Sequence, residues 1–211
     1  MNFKNLFVSA LLPLALGYSL PAMAQEKSTV YLTSMLGQLS PVGDFGNAYQ
    51  KSMSVTTGIE ARIRRSDFYV IGSIEYDNVG YSQHVRDFGA QFLIRDVTTP
   101  ILILSVNVGK SFFLDRNRKF FVAPYVGTGY INVSEPRVNV EFATLPFTAT
   151  VETAHSSGAI GRVGGRIGFN TGKVWLPTIM VDGSYWRSTN TPYNGQPAQA
   201  YTLMLGTRYG F

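Results

Sequence analysis

Apolar and polar side chains alternate along much of this chain with a period of two, the spacing that sends successive residues to opposite faces of a β-strand. The clearest run is 52–64. Met53, Val55, Thr57, Ile59, Ala61 and Ile63 share one face, and Ser54, Thr56, Gly58, Glu60, Arg62 and Arg64 share the other. In 68–77, Phe68, Val70, Gly72, Ile74 and Tyr76 oppose Ser73, Glu75 and Asp77. In 100–112, Leu102, Leu104, Val106 and Val108 oppose Ser105, Asn107 and Gly109. Segment 157–169 sets Ala159, Gly161, Val163, Gly165, Ile167 and Phe169 against Ile160, Arg162, Gly164, Arg166 and Gly168. Segment 174–186 sets Trp175, Ile179, Val181 and Tyr185 against Thr178, Met180, Asp182 and Ser184. Two further strands are expected. The first, 29–38, is apolar on both faces and has no assigned orientation; 120–132 carries Pro124, which cannot donate to a ladder and predicts a bulge or gap.

The last strand, 201–211, is the most informative. Tyr201, Leu203, Leu205, Thr207, Tyr209 and Phe211 form one face, and Thr202, Met204, Gly206, Arg208 and Gly210 the other. An apolar band with aromatics at both ends suits a strand lying against lipid, and about 9–11 tilted residues span the hydrocarbon layer. This strand resembles the final strand of bacterial outer-membrane β-barrel proteins, which ends in an aromatic residue. In that family the pattern is read by the barrel assembly machinery. The Pro124-Tyr-Val-Gly-Thr-Gly-Tyr130 piece is also similar to strands of small outer-membrane barrels.

The expected connections are 39–51, 65–67, 78–99, 114–119, 133–156, 170–173 and 187–199. Long and short alternate throughout. Outer-membrane barrels have long extracellular loops, short periplasmic turns and an even strand number. The expected fold is therefore an all-β, eight-stranded antiparallel up-and-down transmembrane β-barrel with both termini periplasmic. A soluble lipocalin-like barrel gives no reason for such alternation and would bury its apolar face. The architecture resembles the small outer-membrane barrel family that includes the OmpA transmembrane domain and OmpX. The resemblance spans 25–211 and implies no separate periplasmic domain.

The start of the chain sets the compartment. Lys4, an apolar stretch from Leu6 to Leu16 and Ala22-Met23-Ala24 read as a secretory signal peptide over 1–24, with the barrel domain over 25–211. The expected location is the outer membrane of a Gram-negative cell. Cysteine is absent, so a closed hydrogen-bonded sheet must supply the stability that disulfides give many exported domains. Loss of Lys4 lowers the net charge from +5 to +4. The remaining Arg and Lys are scattered, without a basic helix or an interleaved aromatic motif, and nucleic acid is not an expected partner.

With the apolar parity facing lipid, Glu60, Arg62, Arg64, Glu75, Asp77, Arg162, Arg166, Asp182 and Arg208 point into the lumen. Eight strands enclose only enough space for side chains, so an Arg–carboxylate network that plugs the barrel is expected, with a narrow channel as the alternative. No cofactor, metal site or catalytic residue is expected. His84 and His155 lie in separate long connections. One pair carries an enzymatic alternative: His155 and Ser157 share a face and resemble the His-x-Ser of PagL-type lipid A deacylases, although Glu152 has the opposite parity and no orienting acid is evident. In 133–156, the runs 138–142 and 148–153 have strand composition, with Thr144-Leu-Pro-Phe147 between them. They read either as a hairpin rising above the membrane, resembling the protruding sheet of OmpX, or as an irregular loop. The expected function is a structural or adhesive surface role through the long loops, not catalysis. Expected partners are outer-membrane lipid and lipopolysaccharide, the assembly machinery during insertion, and an extracellular partner at 133–156.

Overall fold

The structure, a computed structural model, describes residues 29–63, 66–81, 92–93, 97–135, 138–142, 148–151, 154–171, 176–191 and 196–210. The expected signal peptide, Arg64, His84, Glu152, Trp175 and Phe211 lie outside those residues. In chain order the elements are β1 (Val30–Pro41), α1 (Gly43–Ala48), β2 (Ser52–Arg62), β3 (Phe68–Gly80), β4 (Phe92–Leu93), β5 (Thr98–Lys110), β6 (Phe112–Phe113), β7 (Phe120–Glu135), β8 (Val138–Phe142), β9 (Thr148–Val151), β10 (Ala154–Phe169), β11 (Thr178–Ser188) and β12 (Gln199–Gly210).

Eight of these strands form a ring, each antiparallel to its neighbours, in the order β1, β2, β3, β5, β7, β10, β11, β12. The ring closes where β1 meets β12, from Tyr31 opposite Gly210 to Pro41 opposite Ala200. Closure removes the exposed edges that an open sheet would present. The long β7–β10 ladder runs from Phe120 opposite Phe169 to Glu135 opposite Ala154. The short β6 pairs with the beginning of β7 and stands outside the ring. Among the described residues no helix is long and apolar enough to cross a membrane.

Burial follows the expected parity. Along β5, Thr99, Ile101, Ile103, Ser105 and Asn107 are buried while Leu102, Leu104, Val106 and Val108 are exposed. The first strand, whose faces sequence left undecided, points Tyr31, Thr33, Met35 and Leu39 inward. Several boundaries differ from the expectations. β7 and β10 each extend three residues further toward the long connection between them, because the ladder pairs continuously up to Glu135 and Ala154. The strand expected over 100–112 ends at Lys110, and Ser111 separates it from β6. The strand expected from 174 begins at Thr178.

The segment 39–51, expected as a connection between strands, contains α1. Phe45, Ala48 and Tyr49 fall at helical spacing and bury together, with the Phe45 and Tyr49 rings 4.7 Å apart. Gly43 has φ of +61°, a conformation that glycine adopts without strain, and it opens the helix against the side chain of Gln199. The Val42 N–H donates to the Gln199 carbonyl at 3.0 Å, tying the helix to β12.

Candidate functional site

Two regions carry the chemistry of this chain: the lumen and the outer rim where the long connections leave the barrel. The lumen begins with the inward residues of each strand. Near the long connections these are apolar. Leu39, Val79, Ile101, Ile131, Ile160, Trp186 and Ala200 pack with Phe45 and Tyr49 from α1 and its exit. Fully burying a large apolar side chain contributes about 1.5–3 kcal/mol, so this cluster seals as well as stabilises the mouth. Nearer the short turns, Met35, Tyr69, Ile71, Phe121, Ala123, Tyr125, Met180 and Met204 form a second cluster. Gly164 makes room for it: a Cβ there would lie 2.6 Å from the Tyr125 ring and 2.7 Å from Ser184.

The expected ionic network threads this second cluster. Arg208 Nη1 donates to Glu60 Oε1 at 2.9 Å, and Arg166 Nη1 reaches Glu60 Oε2 at 3.3 Å. Arg166 Nε donates to Asp182 Oδ2 at 2.6 Å, and the Tyr125 hydroxyl donates to Asp182 Oδ1 at 2.8 Å. Arg162 Nη2 pairs with Glu75 Oε2 at 2.7 Å. The guanidinium groups also lie over aromatic faces: Arg166 is 5.4 Å from the Tyr125 centroid, and Arg208 is 4.8 Å from that of Tyr31. Buried charges are tolerated when paired and hydrogen-bonded in this way.

Two expected members stand apart from that core. Arg62 approaches Glu60 only to 3.8 Å and keeps about a fifth of its side chain exposed, because it sits at the end of β2. Asp77 is fully buried one step above Glu75. Ser54 lies opposite it across the β2–β3 pair, yet among the described residues neither Asp77 oxygen makes a hydrogen bond of ordinary geometry. Sequence reasoning did not identify the apolar seal at the mouth. Its signal was present, since strands such as Ile101-Leu-Ile-Leu104 are apolar on both faces where they approach the long connections.

The rim holds the second region. The Tyr49 hydroxyl donates to Glu135 Oε1 at 2.5 Å, joining α1 to the top of β7. Burial first, and then that hydrogen bond, push the Tyr49 hydroxyl well above the ordinary tyrosine range. His155, which sequence joined to Ser157, instead stands opposite Ser134, with its Nδ1 3.1 Å from Ser134 Oγ. Ser134 Oγ in turn donates to Asn132 Oδ1 at 2.9 Å, and Ser157 faces Asn132 across the ladder. Both His155 and Ser157 are exposed. Beyond the rim, β8 and β9 pair antiparallel from Val138 opposite Val151 to Glu141 opposite Thr148. β4 adds to β8 through Phe92 opposite Phe142, giving a three-stranded sheet separate from the ring. The hairpin reading of 138–153 is thus the one the backbone adopts over its described residues. Among the described residues there is no cluster of three or more His, Cys, Asp or Glu that could hold a metal ion.

No family model matches the chain, and no curated protein matches it. Solved structures similar to it include neisserial surface protein A, at 15% identity over 87% of this chain and 98% of that one, with a TM-score of 0.46. Ail, the attachment invasion locus protein of Yersinia pestis, is 14% identical over 86% of this chain and 97% of that one, with a TM-score of 0.41. A major outer membrane protein from Thermus thermophilus is 13% identical over 85% of this chain and 99% of that one, with a TM-score of 0.48.

Proposed function

We propose that this chain is an outer-membrane barrel that acts at the cell surface by binding, through the sheet formed by β4, β8 and β9. The membrane reading is supported by the inverted distribution of side chains. Ile59, Val106, Val126, Ile167, Leu203 and Leu205 are all more than half exposed, while Glu60, Glu75, Arg162, Arg166, Asp182 and Arg208 are buried. Soluble proteins rarely expose so extended an apolar band, whereas lipid requires one. On this reading the short turns face the periplasm, outer-membrane lipid and lipopolysaccharide surround the wall, and the barrel assembly machinery inserts it.

The binding role rests on one observation: paired strands continue outside the ring, from Val138 opposite Val151 onward. Strands beyond the barrel offer main-chain N–H and C=O groups to an extended segment of an extracellular protein. The proposed role is therefore adhesive, with no catalytic step. Bacteria expressing the chain are expected to attach to an extracellular-matrix protein layer more than bacteria expressing a 138–153 deletion, although both barrels reach the surface and resist unfolding by detergent equally. Equal attachment sinks the adhesive role. The lipid A of both strains and of a His155→Ala strain is expected to carry the same acyl chains. Loss of an acyl chain with the intact protein alone would replace binding with catalysis.

A further inference from the structure

At the short-turn end, the chain between β2 and β3 and the chain between β5 and β7 enclose an open cleft of about 380 Å³. Asp67, Lys110, Ser111, Phe112, Phe113 and Arg118 line it. Three features set it apart from an ordinary groove between turns.

The first is a hydroxyl with no evident structural role. Ser111 is 2% exposed, and its Oγ has no hydrogen-bond partner among the described residues, although its backbone N–H donates to the Asp67 carbonyl at 2.9 Å. A buried hydroxyl normally finds a partner, and an orphaned one in a cleft wall is suited to a ligand oxygen. The second is charge. Arg118 is paired with Asp67, so that couple is neutral, while Lys110 has no carboxylate partner among the described residues. Its Nζ lies 5.1 Å from the Phe68 centroid and 5.4 Å from that of Phe112, which holds the ammonium at the cleft without neutralising it. The third is the apolar rim. Phe68, Phe112 and Leu114 are exposed beside the cleft, and Phe120 stacks on Phe169 at 4.8 Å further along.

We propose that this cleft binds the phosphodiester headgroup of a glycerophospholipid from the leaflet that meets the short turns. The Lys110 ammonium and the Ser111 hydroxyl donate to the phosphate oxygens. Phe68 and Phe112 receive the glycerol and the first acyl carbons. Among the residues that line the cleft, Lys110 is the cation without a carboxylate partner, and its one positive charge matches the single negative charge of a phosphodiester. The Arg118–Asp67 pair holds the second turn against the first and so fixes the width of the cleft. Arg118 adopts a φ of 54°, unusual for a residue other than glycine, and its carbonyl accepts from Asn170 Nδ2 at 2.8 Å, which locks that turn in place. The inference rests on the membrane reading above.

The test is native mass spectrometry of the refolded full barrel released from maltoside micelles containing phosphatidylglycerol. The intact protein is expected to retain one lipid. Lys110→Gln and Ser111→Ala are each expected to lower the retained fraction at least about fivefold, while Arg187→Gln, a charge change at the opposite end of the wall, leaves it unchanged. A folded barrel that retains lipid equally in all four proteins overturns the site but not the membrane reading. A chain that folds in buffer without micelles overturns the membrane reading. Soluble glycerol 3-phosphate, added in excess, is expected not to displace the lipid. Displacement would assign the cleft to a free phosphate compound and overturn the lipid proposal.

Discussion

Glu60 holds the lumenal charges together. Its two oxygens receive Arg208 and Arg166, and Arg166 passes the chain of contacts to Asp182. Removing it leaves two guanidinium groups short of a partner inside a closed wall. Glu60→Leu is therefore expected to destabilise the barrel by about 3–5 kcal/mol, the usual consequence of breaking a buried ion pair from one side. Asp77 is the opposite case. It is buried without a hydrogen bond of ordinary geometry among the described residues, so its burial is compensated less than that of Glu60. Asp77→Asn is expected to leave stability unchanged or raise it. Urea unfolding of the two variants from liposomes measures both, and a loss at Asp77 equal to that at Glu60 would show that it has a partner of comparable strength. Sequence parity placed all these side chains inside, because alternation is strictly local. It could not pair them. Arg62 and Arg166 look alike in the sequence, and only the register and the strand ends distinguish the rim residue from the one at the centre.

The wall strands were legible because each turns apolar side chains outward and packs the other face into a narrow lumen, which forces a period of two. Val106 shows how strong that constraint is. It lies in the middle of β5, half-exposed, between Gly72 on β3 and Thr128 on β7. In a bilayer, Val106→Arg is expected to cost about 2–4 kcal/mol, the depth-dependent penalty for a charge on the lipid face at mid-membrane. The measurement is the reversible folding equilibrium in phospholipid vesicles. A cost near zero would mean that this face does not meet hydrocarbon. α1 escaped the same reasoning. Its apolar residues, Phe45, Ala48 and Tyr49, are few and sit among Pro41, Gly43, Asp44, Gly46 and Asn47, which mark turns. What makes the segment helical is tertiary: Phe45 reaches Trp186 at 6.3 Å and Tyr49 reaches Tyr81 at 4.9 Å, neither contact visible locally. β8 and β9 were legible by composition, whereas the pairing of β8 with β4 depends on a segment far away in the chain.

At the scale of the whole molecule the question is whether a closed wall encloses a path. Two devices fill it. The aromatic and aliphatic seal beneath α1 occupies the end near the long connections, and its anchors include the Tyr49–Glu135 hydrogen bond, Val42 on Gln199 and Gln50 on Gly80. Below it the Arg208–Glu60–Arg166–Asp182 series crosses from β12 through β2 and β10 to β11, with Tyr69, Phe121 and Tyr125 packed between the charges. Paired charges are poor conductors of free ions, because an ion entering must displace a partner that geometry already holds. An eight-stranded barrel has room for side chains and little else. The intact protein is therefore expected to be electrically silent in a planar lipid bilayer at moderate voltage. Opening should require both barriers to fail. Trp186→Ala removes the largest side chain of the seal and leaves the ionic series in place, so it too is expected to be silent. Combining Trp186→Ala with Arg166→Ala and Glu60→Ala, which removes the series as well, is expected to give discrete current steps in the fraction that still folds. Steps from the intact protein would show that the lumen opens on its own, and steps from Trp186→Ala alone would place the whole barrier in the apolar seal.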